Sequence, residues 1–145
     1  MPKQAIFLFP LGVAGVLKTI ISGRYTKGLG KGRYFMSQHG YKFQFVRKLG
    51  IDPYRGTFNV RISGEDIKKF NRLKRRKGVT IKGFVKGGKT FGSVMAYKAE
   101  VMGIRCAIVV PERTTHSGIV ELVSSKMLRK TLRLRRGGRV DITLA

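Results

Sequence analysis

Residues 79–101, VTIKGFVKGGKTFGSVMAYKAEV, decide between two fold classes for this chain. Gly83 to Thr90 matches the phosphate-binding loop pattern G-x-x-x-x-G-K-[ST], which works only where a strand leads into a helix. The residues that follow, 91–99, are mainly apolar and include two aromatic residues, which is more typical of a strand than of a helix. Gly87-Gly88 is also a pair that two-residue hairpin turns favour. The stretch therefore predicts a β-hairpin, and an ATP-using protein with a phosphate-binding loop is the less favoured alternative.

The rest of the sequence also indicates short strands joined by tight turns. Nineteen glycines with only four prolines are typical of a protein built from many short strands. Further strands are predicted at 16–24, 57–62, 107–110, 119–123 and 140–144, and short helices at 41–49 and 126–134, with a surface helix or loop at 65–77. This arrangement predicts a mainly β fold, a closed or nearly closed barrel with two or three short helices.

The N-terminal residues and the single cysteine limit the class of protein. Residues 5–17 are apolar, but they are too short to span a bilayer and lack a small-x-small cleavage site. We therefore expect an N-terminal extension, residues 1–15, ahead of one barrel domain, residues 16–145. One cysteine excludes a disulfide framework and a cysteine-based zinc site, and the apolar neighbours of Cys106 predict a buried core position.

Charge is the strongest compositional feature. Thirty-one Lys and Arg residues stand against seven Asp and Glu residues, a formal charge of +24. Such a chain attracts polyanions, which include nucleic acids, anionic membranes and nucleotides. Composition alone favours nucleic acid, and the basic run Arg72 to Lys77 supports a basic β-barrel that binds nucleic acid without kinase activity. We expect at least non-specific binding of nucleic acid.

A second glycine cluster, GLGKG at residues 28–32, could also bind phosphate. Glycines at alternate positions allow the backbone N–H groups to approach an anion closely, and Lys31 and Arg33 add positive charge. By itself this signal is weak, because glycine-rich connections between strands are at least as common.

Two further sets of polar residues could support phosphate chemistry. Thr57 and Asn59 are two apart on a predicted strand, so they present a hydroxyl and an amide oxygen on one face. Neutral oxygens suffice for magnesium when phosphates and water supply its other ligands. Glu121 shares a strand face with Ile119 and Val123, and an acid among apolar neighbours is suited to accept a proton from an alcohol. The alternative is that Thr57, Asn59 and Glu121 are ordinary solvent-exposed residues without a role in catalysis.

Four segments in the same order resemble the archaeal CTP-dependent riboflavin kinases. They are GLGKGRYF (28–35), LGIDPYRGTFNV (49–60), AIVVPERTTH (107–116) and the pair Leu128-Arg129. The resemblance covers residues 18 to 145 and departs from the family at Lys31, where an acid is common, and at Gly137-Gly138, where Gly-Asp is common.

The resemblance implies a six-stranded cradle-loop β-barrel that transfers the γ-phosphate of CTP to riboflavin, giving FMN. It implies that magnesium is held by Thr57 and Asn59, that Thr114 and Glu121 bind the flavin, and that Glu121 is the catalytic base. It implies a nucleotide site formed by Leu29, Gly30, Lys31, Gly32, Arg33, Tyr34, Met127, Leu128, Arg129 and Lys130. We expect a cytoplasmic monomer that acts on CTP and riboflavin and does not bind membranes.

Overall fold

A computed structural model of the chain describes residues 18–28, 35–54, 56–112 and 118–145. Its elements run in the order β1 (Ile20–Thr26), α1 (His39–Leu49), β2 (Phe58–Arg61), α2 (Glu65–Lys74), β3 (Val79–Ile81), β4 (Phe84–Lys86), β5 (Lys89–Phe91), β6 (Val94–Val101), β7 (Ile104–Pro111), β8 (Ile119–Val123), α3 (Leu128–Thr131) and β9 (Arg139–Leu144).

Six antiparallel strands form a closed barrel in the order β6-β7-β8-β2-β1-β9. The barrel closes because the second half of β6 pairs with β9, while the first half pairs with β3. Because β6 pairs with β9, the six-stranded sheet has no unpaired edge at these two strands. The predicted fold class, mainly β with a six-stranded barrel and short helices, is confirmed.

Strand alternation divides the apolar residues between two cores. The barrel interior contains fully buried side chains such as Val60, Ile108 and Leu122. A second core lies on the outer face of β6 to β8, where α1 packs Phe45 against residues that include Val109. Both faces of β7 are therefore buried over residues 106–109, which explains why this stretch is continuously apolar.

Cys106 lies in the inner core and is fully buried. Burial, with a smaller contribution from the charge of Glu100, raises the pKa of its thiol to about 12. The thiol is therefore protonated at neutral pH and fills space as a small apolar group, as the sequence predicted.

The segment with the phosphate-binding loop pattern forms a hairpin. Gly87 and Gly88 have φ angles of 58° and 73°, both in the left-handed region that a type I′ turn requires. Lys89 begins β5 in place of a helix, and β4 pairs with β5 as a separate two-stranded ribbon. The hairpin prediction is confirmed, and this segment has no helix N-terminus that could hold a phosphate.

The last helix is shorter than the sequence predicted. Residues 126–134 were expected to be helical, but α3 covers only Leu128–Thr131. Arg133 has a φ angle of 53°, which ends the helical backbone, and the Leu134 N–H donates to the Arg129 carbonyl. The chain can therefore turn early towards β9.

The predicted N-terminal extension, residues 1–15, lies outside the described residues. Within the described part of the chain, no helix is long and apolar enough to cross a membrane.

Gly23 allows β1 to lie close to β2 as the barrel curves. A Cβ atom at this position would overlap the Arg61 carbonyl and lie 2.7 Å from Val60 Cγ1. We expect Gly23→Ala to destabilise the protein by about 1–3 kcal/mol through overpacking. Gly118→Ala is the control, because its Cβ would meet only the Ile62 carbonyl at 3.7 Å, an ordinary contact. Denaturant unfolding measures both, and equal midpoints would contradict this account.

Candidate phosphate-binding and catalytic site

A cleft of about 100 Å³ opens where β1 and β8 end and β2 begins, beside α3. These ends meet because the three strands are neighbours and run antiparallel. The cleft is lined by polar and basic groups together with a few apolar ones: Tyr25, Thr26, Gly28, Tyr54, Gly56, Thr57, Phe58, Asn59, Leu122, Ser124, Lys126, Met127, Leu128 and Arg129.

Several predicted site residues come together in this cleft. Thr57 and Asn59 line it, together with Met127 to Arg129 from the start of α3. Leu128 is also buried in the barrel core, so it anchors the helix whose first residues line the cleft. Lys130 is exposed and does not line the cleft. Leu29 to Tyr34 and Thr114 lie outside the described residues.

A row of polar side chains crosses three strands at the edge of the cleft. Thr26 on β1 pairs with Asn59 on β2, and Asn59 pairs with Glu121 on β8. Residues directly opposite one another in an antiparallel sheet have side chains on the same face. The neighbouring residue Val60 points into the barrel, so this row lies on the outer face. The register therefore brings the predicted metal ligand Asn59 beside the predicted base Glu121.

Hydrogen bonds connect the members of this group. The Thr57 hydroxyl donates to Glu121 Oε1 at 3.1 Å, and Asn59 Nδ2 donates to the Thr57 carbonyl at 3.5 Å. Because the hydroxyl proton of Thr57 is directed towards the carboxylate, the lone pairs of its oxygen remain available to a cation or to another donor. Glu121 is half-buried, and across the sheet it lies between the polar residue Asn59 on β2 and the buried apolar residue Val109 on β7.

Gly28, the first glycine of the GLGKG cluster, leaves room for the side chain of Asn59. A Cβ atom on Gly28 would overlap Asn59 Nδ2 and lie 3.1 Å from its Cγ. Asn59 is nearly buried, so its amide has little space in which to move aside. The start of the glycine cluster is therefore in direct contact with the candidate metal ligand.

Sequence reasoning missed Ser124, which organises one wall of the cleft. Its hydroxyl donates to the Arg105 carbonyl at 3.1 Å and accepts from the Lys126 N–H at 3.2 Å, and its carbonyl accepts from the Tyr54 N–H at 2.7 Å. The only sequence signal was a Ser-Ser pair ahead of a helix. Lys126, also missed, adds a positive charge beside the predicted segment 127–130.

The oxygen donors at this site suit one kind of metal. In the described residues, no group of three His, Cys, Asp or Glu side chains could enclose a metal ion. A hydroxyl and an amide oxygen are instead the limited protein contribution that magnesium needs when phosphates and water supply the other ligands. Thr57 and Asn59 therefore fit magnesium bound together with a nucleotide.

The fold and the cleft define a small β-barrel protein whose site suits a phosphate-bearing ligand. The family of CTP-dependent riboflavin kinases (CTP-dep_RFKase, "Domain of unknown function DUF120") matches residues 25–144. The chain belongs to this family, as its sequence motifs indicated. The alternative of a nucleic-acid-binding barrel without kinase activity is not favoured.

Riboflavin kinases from archaea are similar to most of this chain. That of Picrophilus torridus is 43% identical over 120 residues, which is 83% of this chain and 54% of that protein. That of Archaeoglobus fulgidus is 43% identical over 123 residues, with shares of 84% and 53%. That of Thermoplasma acidophilum is 37% identical over 123 residues, with shares of 85% and 56%. The chain therefore spans about half the length of these curated relatives.

Two substitutions distinguish the two glycine-rich segments as nucleotide sites. Lys89→Ala should leave CTP binding nearly unchanged, because Lys89 lies on the exposed hairpin and does not line the cleft. Gly28→Ala should weaken CTP binding at least tenfold, because its Cβ displaces Asn59. Titration calorimetry measures both affinities, and thermal unfolding checks that both variants fold. Strong loss in Lys89→Ala beside normal binding in Gly28→Ala would contradict this assignment.

Proposed function

We propose that this barrel transfers the γ-phosphate of CTP to the 5′-hydroxyl of riboflavin, giving FMN and CDP. The observation that carries the proposal is the hydrogen bond from Thr57 to Glu121 at the edge of a cleft that also contains Asn59. It joins a candidate phosphate and metal site to a carboxylate that can accept a proton. Membership of the riboflavin kinase family supports the identity of both substrates.

The nucleotide would occupy the cleft between the glycine cluster and α3. Leu29 to Tyr34 would surround the triphosphate with backbone N–H groups, following on from Gly28 at the cleft wall. Met127 to Lys130 would hold the cytosine base. Lys126 and Arg129 line the same cleft and would offset the negative charge of the phosphates.

Thr57 and Asn59 would hold magnesium through the threonine hydroxyl and the asparagine amide oxygen. The ion, when bound, offsets charge on the phosphate oxygens. The Thr57 hydroxyl suits this role because it donates its proton to Glu121 and turns its lone pairs elsewhere. Asn59 is restrained by its contact with Gly28 and by its hydrogen bond to the Thr57 carbonyl.

Glu121 would be the catalytic base, and Thr114 would contact the flavin with it. The riboflavin 5′-oxygen forms a bond to the γ-phosphorus while the bond from that phosphorus to the β–γ bridging oxygen breaks. The proton of the 5′-hydroxyl passes to the Glu121 carboxylate, and CDP leaves with the bridging oxygen. Most of the catalysis would come from positioning and charge compensation, as is usual in phosphoryl transfer.

The donor preference tests this function directly. Riboflavin and magnesium are incubated with the protein and with CTP, ATP, GTP or UTP in turn, and FMN is measured by chromatography. CTP should give the highest yield because the segment 127–130 would be matched to cytosine. Equal yields from CTP and ATP would contradict the proposed cytosine-binding role of segment 127–130. No FMN from any donor would contradict the kinase function.

The metal site predicts a specific change in magnesium dependence. Thr57→Ala combined with Asn59→Ala should raise the magnesium concentration needed for half-maximal FMN formation by about tenfold or more, the scale of a lost metal-site partner. Asn71→Ala combined with Thr90→Ala is the matched control, because it removes the same two side-chain types from positions that do not line the cleft. Near-normal turnover of the double variant at limiting magnesium would show that the metal binds elsewhere.

A further inference from the structure

Three arginines lie directly opposite one another on neighbouring barrel strands. Arg24 on β1 pairs with Arg61 on β2 and also with Arg139 on β9. All three are exposed, whereas Val60 and Val140, next to Arg61 and Arg139 in sequence, are buried in the barrel interior. The outer face of the barrel therefore presents a row of three guanidinium groups about 10 Å long, or two strand spacings.

A turn adds two more arginines to this row. The Gly137 N–H donates to the Tyr25 carbonyl and the Tyr25 N–H donates to the Gly138 carbonyl, both at 2.8 Å. The Arg24 guanidinium also donates to the Gly137 carbonyl at 3.4 Å. These bonds hold the turn against β1, so that the exposed residues Arg135 and Arg136 lie beside the end of the row.

Little negative charge balances these arginines. Asp141 accepts hydrogen bonds from the Ser22 hydroxyl at 2.7 Å and from Arg139 Nε at 3.1 Å. These bonds, chiefly the one from Ser22, lower the pKa of Asp141, so it stays ionised and offsets one of the five positive charges. No described salt bridge involves Arg24 or Arg61.

The pairing of Arg24 with Arg61 and with Arg139 brings like charges together on the folded barrel. Like charges directly opposite one another on a sheet destabilise it. The row also lies outside the cleft, since none of the five arginines lines it. An anionic partner that binds across the row would offset the repulsion between these arginines.

We propose that the arginine surface (Arg24, Arg61, Arg135, Arg136 and Arg139) binds the phosphate backbone of double-stranded nucleic acid. The planar fork of arginine matches the oxygens of a phosphate group, and five such groups, three on strands and two on the adjoining turn, exceed what one phosphate needs. The charge of +24 attracts a long polyanion. The residues that flank the row on the same face, Ser22, Asp141 and Ile119, are not aromatic, so the surface lacks the stacking platform on which single-strand binders hold their bases.

The surface is separate from the proposed kinase site but lies next to it. Arg24 and Arg61 are each two residues along their strands from Thr26 and Asn59, about 7 Å away on the same face. The proposal does not depend on the kinase function. Binding of duplex DNA tests the arginine surface, and formation of FMN tests the kinase function.

Two triple variants with equal net charge test the proposal. One variant combines Arg24→Gln, Arg61→Gln and Arg139→Gln. The control combines Lys82→Gln, Lys86→Gln and Lys98→Gln, which replace three exposed lysines outside the arginine surface. Binding of a labelled DNA duplex is followed by fluorescence anisotropy over a range of salt concentrations. The arginine variant should weaken binding at least tenfold at low salt, and its salt slope should fall by about one unit per arginine.

The control should bind nearly as the parent does, and both variants should still form FMN. Equal weakening in the two triple variants would overturn the proposal, since binding would then follow total charge. Tighter binding to a single strand, or to vesicles containing phosphatidylserine, than to the duplex would also overturn it.

Discussion

The pairing of β2 with β8 is the constraint on which the rest of the site depends. It sets Asn59 opposite Glu121 and brings the Thr57 hydroxyl within 3.1 Å of the carboxylate. Because side chains alternate along a strand, a register shift of one residue would turn Glu121 into the barrel and Leu122 out of it. The buried inner residues Val60 and Leu122 oppose that shift, since both would lose their places in the core. Core packing thus fixes the geometry of the polar site.

Local features of the fold could be predicted from the sequence because their causes are local. Gly87-Gly88 supplies two left-handed residues in succession, and this determines the hairpin whatever surrounds it. The helix predicted at 41–49, which begins two residues earlier at His39, follows from apolar residues spaced four apart, of which Phe45 is fully buried. The early end of α3 depends on Arg133 adopting a left-handed backbone, which nothing in the residue type indicates.

The site could be predicted only in part, because its geometry depends on long-range contacts. Thr57 and Asn59 were recognisable as a pair two residues apart, but their approach to Glu121 joins residues more than sixty positions apart. The contact of Gly28 with Asn59 and the alignment of Arg24 with Arg61 also depend on strand register. The charge of +24 indicated an anionic partner, but the alignment of Arg24, Arg61 and Arg139 on one face depends on the pairing of distant strands.

A double-mutant cycle between Thr57 and Glu121 tests the central claim, that these two residues act as one catalytic unit. Glu121→Gln should slow FMN formation about a hundredfold while riboflavin still binds, because the amide keeps the shape but cannot accept the proton. Thr57→Val removes the hydroxyl, and the double variant should be little slower than the slower single variant. Turnover at saturating CTP and magnesium gives the four rates of the cycle, those of the parent, the two single variants and the double variant. Multiplied losses in the double variant, or an unchanged rate in Glu121→Gln, would contradict the account.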